Sequence, residues 1–356
     1  MRLRLNEFMR VRIESPLSCD LLLERRSYRL PHPSCLPVMA SIDGHVERSE
    51  IVERFRDGLA VGERQATEFV DKLIEAGVLW PEGYTHPLMP QVQTWREYGW
   101  TDALIFHCLT EGQSYTDVLH AETPETPAEA LTRRLGEGQL PPFWKTLPVA
   151  YEKLPEAVDY PSRDLADVLL SRRTHVPWSG QKLTAEQVSR VLRDANIPLV
   201  KRRRAAEEGF RDDPSALMWN IYGDLETYFI AYDVAGVEPG IYHYDPRDHA
   251  LGQVAAGDFR EKVRDAFVGQ ERAGSGSCSV LISAVWERHM FRYAGNPRGY
   301  RTMMMLIGQF AQRYLVSWTA LGYTTFPTPA HYPELTDALI GSRRYEESGI
   351  YLITAG

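Results

Sequence analysis

The chain has 356 residues, which corresponds to about two domains at roughly 150 residues per domain. Hydrophobic residues make up 44% and charged residues 25% of the sequence, as is ordinary for a globular protein in water. The 40 Lys and Arg residues against 48 Asp and Glu residues give a net charge of −8. This acidic balance argues against nonspecific nucleic-acid binding, because neutralising phosphates needs a basic excess.

Residue spacing also argues against a metal site, a disulfide scaffold and a membrane span. The four cysteines form no Cys-x-x-Cys pair, and the ten histidines are dispersed along the chain. The first residues lack the apolar run of a signal peptide. The longest apolar stretch, 302–323, contains Gln309, Gln312 and Arg313 and therefore predicts a buried core helix. We expect a cytoplasmic protein with reduced thiols and no metal.

Residues 1–92 are predicted to form a small separate domain. Apolar residues alternate from Leu3 to Ile13, which indicates strands. Helical spacing begins after Ser49 and again at 66–74, and a short strand at 78–80 follows. Strands, two helices and a closing strand are typical of a winged-helix unit. Its mixed charge favours peptide recognition at a strand edge over DNA binding, and a dimerisation or packing appendage is the alternative.

The rest of the chain divides into a connecting arm, residues 93–155, and a main domain, residues 156–356. Repeated prolines in the arm oppose long helices. In the main domain the pattern predicts helices at 164–170, 184–195 and 302–321, and strands at 228–232, 240–244, 280–285 and 350–354. The glycine-rich segment 273–279 lacks a dinucleotide-binding pattern and predicts a loop. The fold class is therefore α+β.

Arginines supply the candidate binding residues. Residues 171–174, Ser-Arg-Arg-Thr, end a helix with two guanidinium groups and a hydroxyl, which suits a phosphate clamp; a solvated helix end is the alternative. Arg298 and Arg301 lie directly before the long helix, where a cation opposes the helix dipole, so they suggest a bound anion or a partner carboxylate. Arg292 and Tyr293 place a cation beside a phenol.

Five segments together carry a family resemblance: SRRTHVPWSGQKLTAEQVSRVL, PSA at 214–216, PGIYHYDPRDHAL, RYAGNPRGYRTMMMLIGQFAQ and the closing YLITAG. They span nearly all of 160–356. Through them the main domain resembles the nitroreductase-type flavin fold, and specifically the SagB-type dehydrogenases. Those enzymes oxidise thiazolines and oxazolines to thiazoles and oxazoles in ribosomally made peptides. The first 92 residues resemble the winged-helix peptide-recognition unit of the same pathways.

The resemblance implies FMN bound at the interface of an obligate homodimer, with a central sheet that is mainly antiparallel. Carried onto this chain, it implies that Arg172, Arg173 and Thr174 hold the phosphate and ribityl end of FMN. Ser215 would lie near the isoalloxazine. The resemblance also implies that Arg301 and Gln312, on the long helix, complete the site from one subunit or the other.

The long helix carries Met304, Ile307, Ala311 and Leu315 on one face. At helical spacing these residues form an apolar stripe that fits a dimer core. A core helix inside a monomer is the alternative.

The chain departs from the family pattern at two places. Val176 stands where the family has a second basic residue of the clamp, and Arg292-Tyr293 stands where azoline dehydrogenases carry Lys-Tyr. A desolvated lysine can lose its proton and act as a base, whereas arginine keeps its proton. Therefore either Tyr293 is the base, assisted by the charge of Arg292, or the reaction differs.

The sequence thus predicts an FMN-dependent oxidoreductase that oxidises a residue of a ribosomally made precursor peptide, with azoline-to-azole dehydrogenation as the first choice. The N-terminal domain would hold the leader segment, molecular oxygen would reoxidise the flavin, and a cyclodehydratase or another pathway enzyme would be a partner. Three alternatives remain open. They are oxidation of another side chain such as an indole, a flavin-free scaffold that delivers peptide to a partner enzyme, and a nitroreductase with a nicotinamide donor.

Overall fold

The computed structural model describes residues 1–14, 16–111, 116–117, 127–138, 140–294, 296–343 and 345–356. The chain divides into two compact units, residues 1–125 with 296–298, and residues 126–295 with 299–356. The predicted connecting arm is shared between these units, and its residues 112–115, 118–126 and 139 lie outside the described part.

The first unit combines short strands with helices. Its elements are β1 (Arg2–Leu5), β2 (Met9–Arg12), β3 (Ser18–Leu21), β4 (Arg26–Arg29), α1 (Cys35–Ala40), β5 (Val46–Glu47), α2 (Arg48–Leu59), α3 (Glu63–Ala76), β6 (Leu79–Pro81), α4 (Met89–Glu97), α5 (Thr101–Glu111) and β7 (Thr116–Asp117). Strand β1 pairs antiparallel with β5 and with β6, while β2, β3, β4 and β7 form a second sheet. The predicted pair of helices and the closing strand are present as α2, α3 and β6.

The arm begins within helices. Helices α4 and α5, which extend into it, have 9 and 11 residues. The first proline of the arm is Pro124, beyond both helices, so these two short helices do not contradict the expectation that the prolines oppose long ones.

The second unit contains a long antiparallel sheet. Its elements are α6 (Pro127–Glu137), β8 (Tyr151–Lys153), α7 (Leu165–Ser171), β9 (Leu183–Thr184), α8 (Ala185–Gly209), a 3₁₀ helix (Pro214–Trp219), β10 (Leu225–Ala231), β11 (Val234–Ala235), β12 (Gly240–Asp245), β13 (Ala250–Ala256), α9 (Arg260–Ala266), α10 (Glu271–Gly274), β14 (Cys278–Val285), α11 (Trp286–Arg292), α12 (Arg298–Ala320), β15 (Thr325–Thr328), α13 (Pro333–Ile340) and β16 (Glu347–Ala355). Seven strands pair antiparallel in the order β15-β16-β14-β10-β12-β13-β8. The predicted α+β class is confirmed.

Alternation along β10 places helices on both faces of this sheet. Phe229 packs in one core with residues of α8 and α12. Its neighbours Tyr228 and Ile230 pack in a second core with residues of α9 and α13. Because successive side chains of a strand point to opposite faces, a strand buried on both sides reads as a continuous apolar run, which is how 228–232 appears in the sequence.

Helix α8 continues past a proline. The sequence predicted a helix at 184–195, but α8 extends to Gly209 with Pro198 inside it. A proline within a helix deprives the carbonyl four residues earlier of its hydrogen bond. Here that carbonyl belongs to Asp194, and Arg313 Nη2 of α12 donates to it at 2.8 Å. A side chain from a distant segment therefore compensates for the proline.

Helix α12 is buried against the sheet along most of its length. Ile307, Ala311 and Leu315 are exposed by only 2%, 2% and 6% and belong to the core of the chain itself. The assignment of this face to a dimer core is therefore wrong, because the chain's own sheet and α8 already cover it. No helix of the described residues is both long and apolar enough to cross a membrane.

Charged side chains are also buried in the second unit. Glu226 of β10 is 2% exposed, and it accepts hydrogen bonds from Arg203 Nη2 at 3.0 Å and from Arg288 Nη1. Burial raises the pKa of Glu226, but the charges of Arg203 and Arg288 outweigh burial and hold that pKa well below its ordinary value. Two guanidinium groups thus share one carboxylate inside the fold.

Substituting Glu226→Gln should lower the free energy of unfolding at pH 7 by about 3–5 kcal/mol, because it leaves buried guanidinium charges unpaired. Because the pKa of Glu226 is depressed in the folded state, its contribution to stability is fully present above its ordinary pKa of 4.5. That contribution decreases as the pH falls below 4.5. Urea unfolding from pH 7 to pH 3 should therefore show the variant and the wild type converging in acid. Glu261→Gln, on the surface, should change little at any pH; an equal loss there would contradict the interpretation.

Candidate functional site

A cavity of about 190 Å³ lies at the C-terminal end of α12. Its ten described lining residues are Arg163, Ser171, Arg172, Arg173, Val176, Thr319, Gly322, Tyr323, Thr324 and Thr325. Three of them are arginines and none is an aspartate or glutamate. A cavity lined by cations and hydroxyl groups without a carboxylate has the character of an anion site.

The end of α7 orients two of the cavity arginines. Helix α7 ends at Ser171, and Arg173 Nη1 donates to the carbonyl oxygens of Leu170 at 2.6 Å and Arg172 at 2.8 Å. Arg172 Nη1 donates to Thr174 Oγ1 at 3.1 Å. The structure therefore places Arg172 and Arg173 at the cavity, with Thr174 bonded to Arg172 beside it.

Arg163 is a cavity residue that the sequence analysis missed. Its Nη1 donates to the carbonyl oxygen of Thr319 at 2.9 Å, and its Nη2 lies 3.5 Å from Ser171 Oγ. A signal was available: Arg163 directly precedes Asp164, the N-cap of α7. A cation is unfavourable at the start of a helix. The same argument identified Arg298 and Arg301 as candidates and applies equally to Arg163.

One hydroxyl in the cavity wall is left for a ligand. Ser171 and Thr324 donate their hydroxyls to backbone carbonyls of the chain. The Oγ1 of Thr325 is buried and has no hydrogen-bond partner among the described residues. A buried hydroxyl without a partner is costly, so a phosphate oxygen at this point would relieve the cost. Val176 lines the cavity at the position where the sequence pattern led us to expect a basic residue, and Arg163 provides a third cation.

The size of the cavity limits what one chain can enclose. Its volume of about 190 Å³ is below the range of about 300–1,000 Å³ that is usual for whole small-molecule ligands. The residues present therefore fit the phosphate end of a mononucleotide such as FMN, while a tricyclic ring would extend beyond the cavity.

Arg292 lies in a buried ion pair near the opposite end of α12. It is 5% exposed and donates through Nη2 to Asp224 Oδ2. His289 Nδ1 lies 2.7 Å from the same oxygen, and His289 Nε2 lies 2.7 Å from the carbonyl oxygen of Gly299. Burial raises the pKa of Asp224, but the charge of Arg292 and the hydrogen bond with His289 hold it below its ordinary value. Arg292 thus links α11 to the start of β10.

The same contacts change the role expected for Arg292. Its guanidinium carbon lies 5.4 Å from the centre of the Tyr293 ring, so the predicted proximity of cation and phenol is present. However, its charge is already neutralised by Asp224. The expectation that Arg292 activates Tyr293 by its charge is therefore not supported. Tyr293 itself is partly buried, and its ring lies 4.6 Å from the ring of His289.

The other predicted site residues do not line the cavity. Ser215 donates its hydroxyl to Asp213 Oδ2 at 2.7 Å, which caps the 3₁₀ helix. Arg301 and Gln312 are exposed on α12, and the 11 intervening steps place them about 16 Å apart along the helix axis. Of the predicted cofactor-binding residues, only Arg172, Arg173 and Thr174 are brought together within one chain. Arg292 and Tyr293 form a separate pair.

Helix α12 separates two groups of predicted residues. Tyr293 packs on Gly299, where an added Cβ would lie 2.8 Å from the Cβ of Tyr293, while Thr319 lines the cavity. From Gly299 to Thr319 the helix rises about 30 Å. A general base must approach within hydrogen-bond distance of the proton that it removes. Tyr293 and the cavity of the same chain therefore cannot serve one reacting carbon.

Comparison with known proteins gives several similarities. No protein-family model matches the chain. The chain is 27% identical over 318 residues to the trifolitoxin operon protein TfxC of Rhizobium leguminosarum bv. trifolii, covering 84% of each protein. It is also similar to two proteins named as putative nitroreductases. MJ1384 of Methanocaldococcus jannaschii is 28% identical over 181 residues, which is 51% of this chain and 86% of MJ1384. A solved structure from Anabaena variabilis is 20% identical with a TM-score of 0.47, covering 58% of this chain and 41% of that one.

Replacing Arg292 should test whether its charge or its shape matters to the fold. Arg292→Met leaves Asp224 buried without its cation and should cost about 3–5 kcal/mol of unfolding free energy. Arg292→Lys keeps the charge but loses the fork geometry, so it should cost less. Urea unfolding measures both values, with Arg247→Met, whose side chain is 41% exposed, as the control. Equal losses in the methionine and lysine variants would show that the charge pair is unimportant.

Proposed function

We propose that the chain is an FMN-dependent oxidoreductase that modifies a residue of a ribosomally made peptide. The cavity lined by Arg163, Arg172 and Arg173 carries this proposal, because it offers a phosphate three cations and the unpartnered hydroxyl of Thr325. Similarity to a nitroreductase-type protein supports the redox class. Similarity to a trifolitoxin operon protein over most of both chains supports a role in making a natural product.

In this proposal the three arginines and Thr325 hold the phosphate of FMN, and Arg172 fixes Thr174 beside the ribityl chain. When bound, FMN would supply two-electron oxidation of the substrate carbon, with molecular oxygen as the final electron acceptor. The chain itself contributes binding, orientation and the acceptor of the proton.

A homodimer would resolve the separation along α12. One chain places its phosphate cavity and Tyr293 near opposite ends of α12, whose Gly299 and Thr319 lie about 30 Å apart along the helix axis. A second copy therefore has to bring its own Tyr293, Arg301 or Ser215 to the ring of the bound flavin. The exposed stripe of α12, which includes Met305 and Gln312, is available for this contact because the opposite stripe is buried within the chain. Met305 on this stripe is 61% exposed.

Tyr293 is the proposed base. Dehydrogenation of an azoline breaks two bonds to hydrogen: one hydrogen would leave as a proton to Tyr293, which must present its phenolate oxygen to accept it, and the other as a hydride to FMN, so that a double bond forms. Arg292 is paired with Asp224. This pairing is a specific reason to propose a second substrate class as well. Without the lysine of azoline dehydrogenases, oxidation of another side chain, such as an indole, is the competing reaction.

The first unit is proposed to hold the leader of the peptide. Strand β2 lies at the edge of the β2-β3-β4-β7 sheet, and Val11 on it is 37% exposed. An extended peptide can add to such an edge through backbone hydrogen bonds. Holding the leader raises the effective concentration of the reacting residue, and a cyclodehydratase or another pathway enzyme would act on the same peptide.

Removing a cavity arginine should weaken binding of FMN and leave riboflavin unaffected, because only FMN carries the phosphate. Arg172→Gln and Arg173→Gln should each raise the Kd for FMN about 10–100-fold, the worth of one charge-assisted hydrogen bond. Titration followed by flavin fluorescence measures both ligands. Arg193→Gln, on an exposed part of α8, is the control. Wild-type protein that binds no flavin would reject the enzyme and favour the peptide-delivery scaffold.

The reaction is tested by mass spectrometry of precursor peptides encoded nearby, incubated with the purified protein, FMN and oxygen. A mass decrease of two hydrogens in a peptide that already contains an azoline supports dehydrogenation. A mass increase of one oxygen supports hydroxylation of another side chain. Tyr293→Phe should abolish the change, because the proton acceptor is gone, while retaining FMN binding. An unchanged rate in this variant would exclude Tyr293 as the base.

A further inference from the structure

Arg272 stacks on an aromatic residue of the loop that carries the cavity arginines. Its guanidinium carbon lies 4.0 Å from the centre of the Trp178 ring and 5.8 Å from that of Phe326. The shorter distance is well within the range of about 6 Å for a cation–π contact. Arg272 comes from α10, at the edge of the glycine-rich segment 273–279, which the proposed function does not otherwise use.

The two rings do not line the cavity, but each belongs to a segment that supplies lining residues. Trp178 ends the segment 171–178 that begins with Ser171, Arg172 and Arg173, and Phe326 directly follows Thr325. Trp178 is further fixed by its Nε1, which donates to Ser275 Oγ at 3.1 Å. Thr324 Oγ1 joins the same two segments by donating to the carbonyl oxygen of Pro177 at 3.0 Å. Arg272 therefore packs behind both segments without being one of the lining residues.

Arg272 is held by rings rather than by a carboxylate. Its Nε and Nη2 are buried and have no hydrogen-bond partner among the described residues. Arg203, Arg288 and Arg292, in contrast, each bond to a buried carboxylate. Burying part of a guanidinium group without a hydrogen-bond acceptor is unfavourable. The contacts with the two rings therefore have to stabilise Arg272.

We propose that Arg272 is a positioning residue, which fixes the loop of Arg172 and Arg173 against the Thr324–Phe326 strand so that the cavity is preformed for the phosphate of FMN. This inference rests on the proposed function. A loop that is already ordered loses less conformational freedom when the ligand binds. Arg272 therefore acts on phosphate binding indirectly, through Trp178. Replacing Arg272 should weaken the binding only of ligands that occupy the phosphate subsite.

The test compares FMN with riboflavin in the full-length protein. Arg272→Gln should raise the Kd for FMN about tenfold and leave the Kd for riboflavin unchanged, while Arg272→Lys, which keeps a cation over the ring, should recover most of the affinity. Trp178→Leu removes the other member of the stack and should give the same loss. The double variant should lose no more than either single variant. Arg264→Gln, an exposed arginine on α9 with acidic neighbours, is the matched control.

The outcomes separate this inference from the proposed function. Wild-type protein that binds neither FMN nor riboflavin rejects the proposed function. Wild-type protein that binds FMN together with an Arg272→Gln variant that binds it equally well rejects the inference alone. Equal loss of FMN and riboflavin in this variant also rejects it, because a general structural defect would then explain the result. If Arg272→Gln does not fold, Trp178→Leu decides by the same comparison.

Discussion

The burial of α12 is the constraint on which the rest of the structure depends. One stripe of this helix packs with α8 against the seven-stranded sheet, so the positions of its two ends are fixed. The C-terminal end delivers Thr319 to the arginine-lined cavity, and the N-terminal end delivers Gly299 to the cluster of His289 and Tyr293. Because a helix is rigid and rises 1.5 Å per residue, the two parts of the candidate site cannot approach each other within one chain.

Two kinds of arginine in this protein show how charge is used. Arg203, Arg288 and Arg292 are buried, and each is paired with a buried carboxylate of the chain. Pairing is required there, since an isolated charge in the interior is very costly. The arginines around the cavity bond instead to backbone carbonyls and hydroxyls, which do not neutralise them. Their charge is therefore available to a ligand, and it is this difference that distinguishes a binding site from a structural network.

The geometry also assigns cofactor binding and proton transfer in the proposed reaction to different parts of the structure. Binding energy for the phosphate would come from the cavity end of α12, remote from the atoms that react, and the acceptor of the proton would come from the other end of α12 in a second copy of the chain. Using remote contacts to position a reacting group is a general route to catalysis. It fits an enzyme whose substrate is a peptide, because the peptide can then be held by a separate unit.

Local patterns in the sequence determined the α+β class, most helices and strands of the main domain and the clustering of Arg172, Arg173 and Thr174. These features depend on neighbours within a few residues, such as apolar periodicity and the end of a helix. Tertiary structure alone decided that Arg163 joins the cavity, that Asp224 neutralises Arg292 and that Arg313 allows α8 to pass Pro198. It also decided that the apolar stripe of α12 faces the chain's own core. Each of these depends on residues far apart in sequence, which periodicity and spacing cannot bring together.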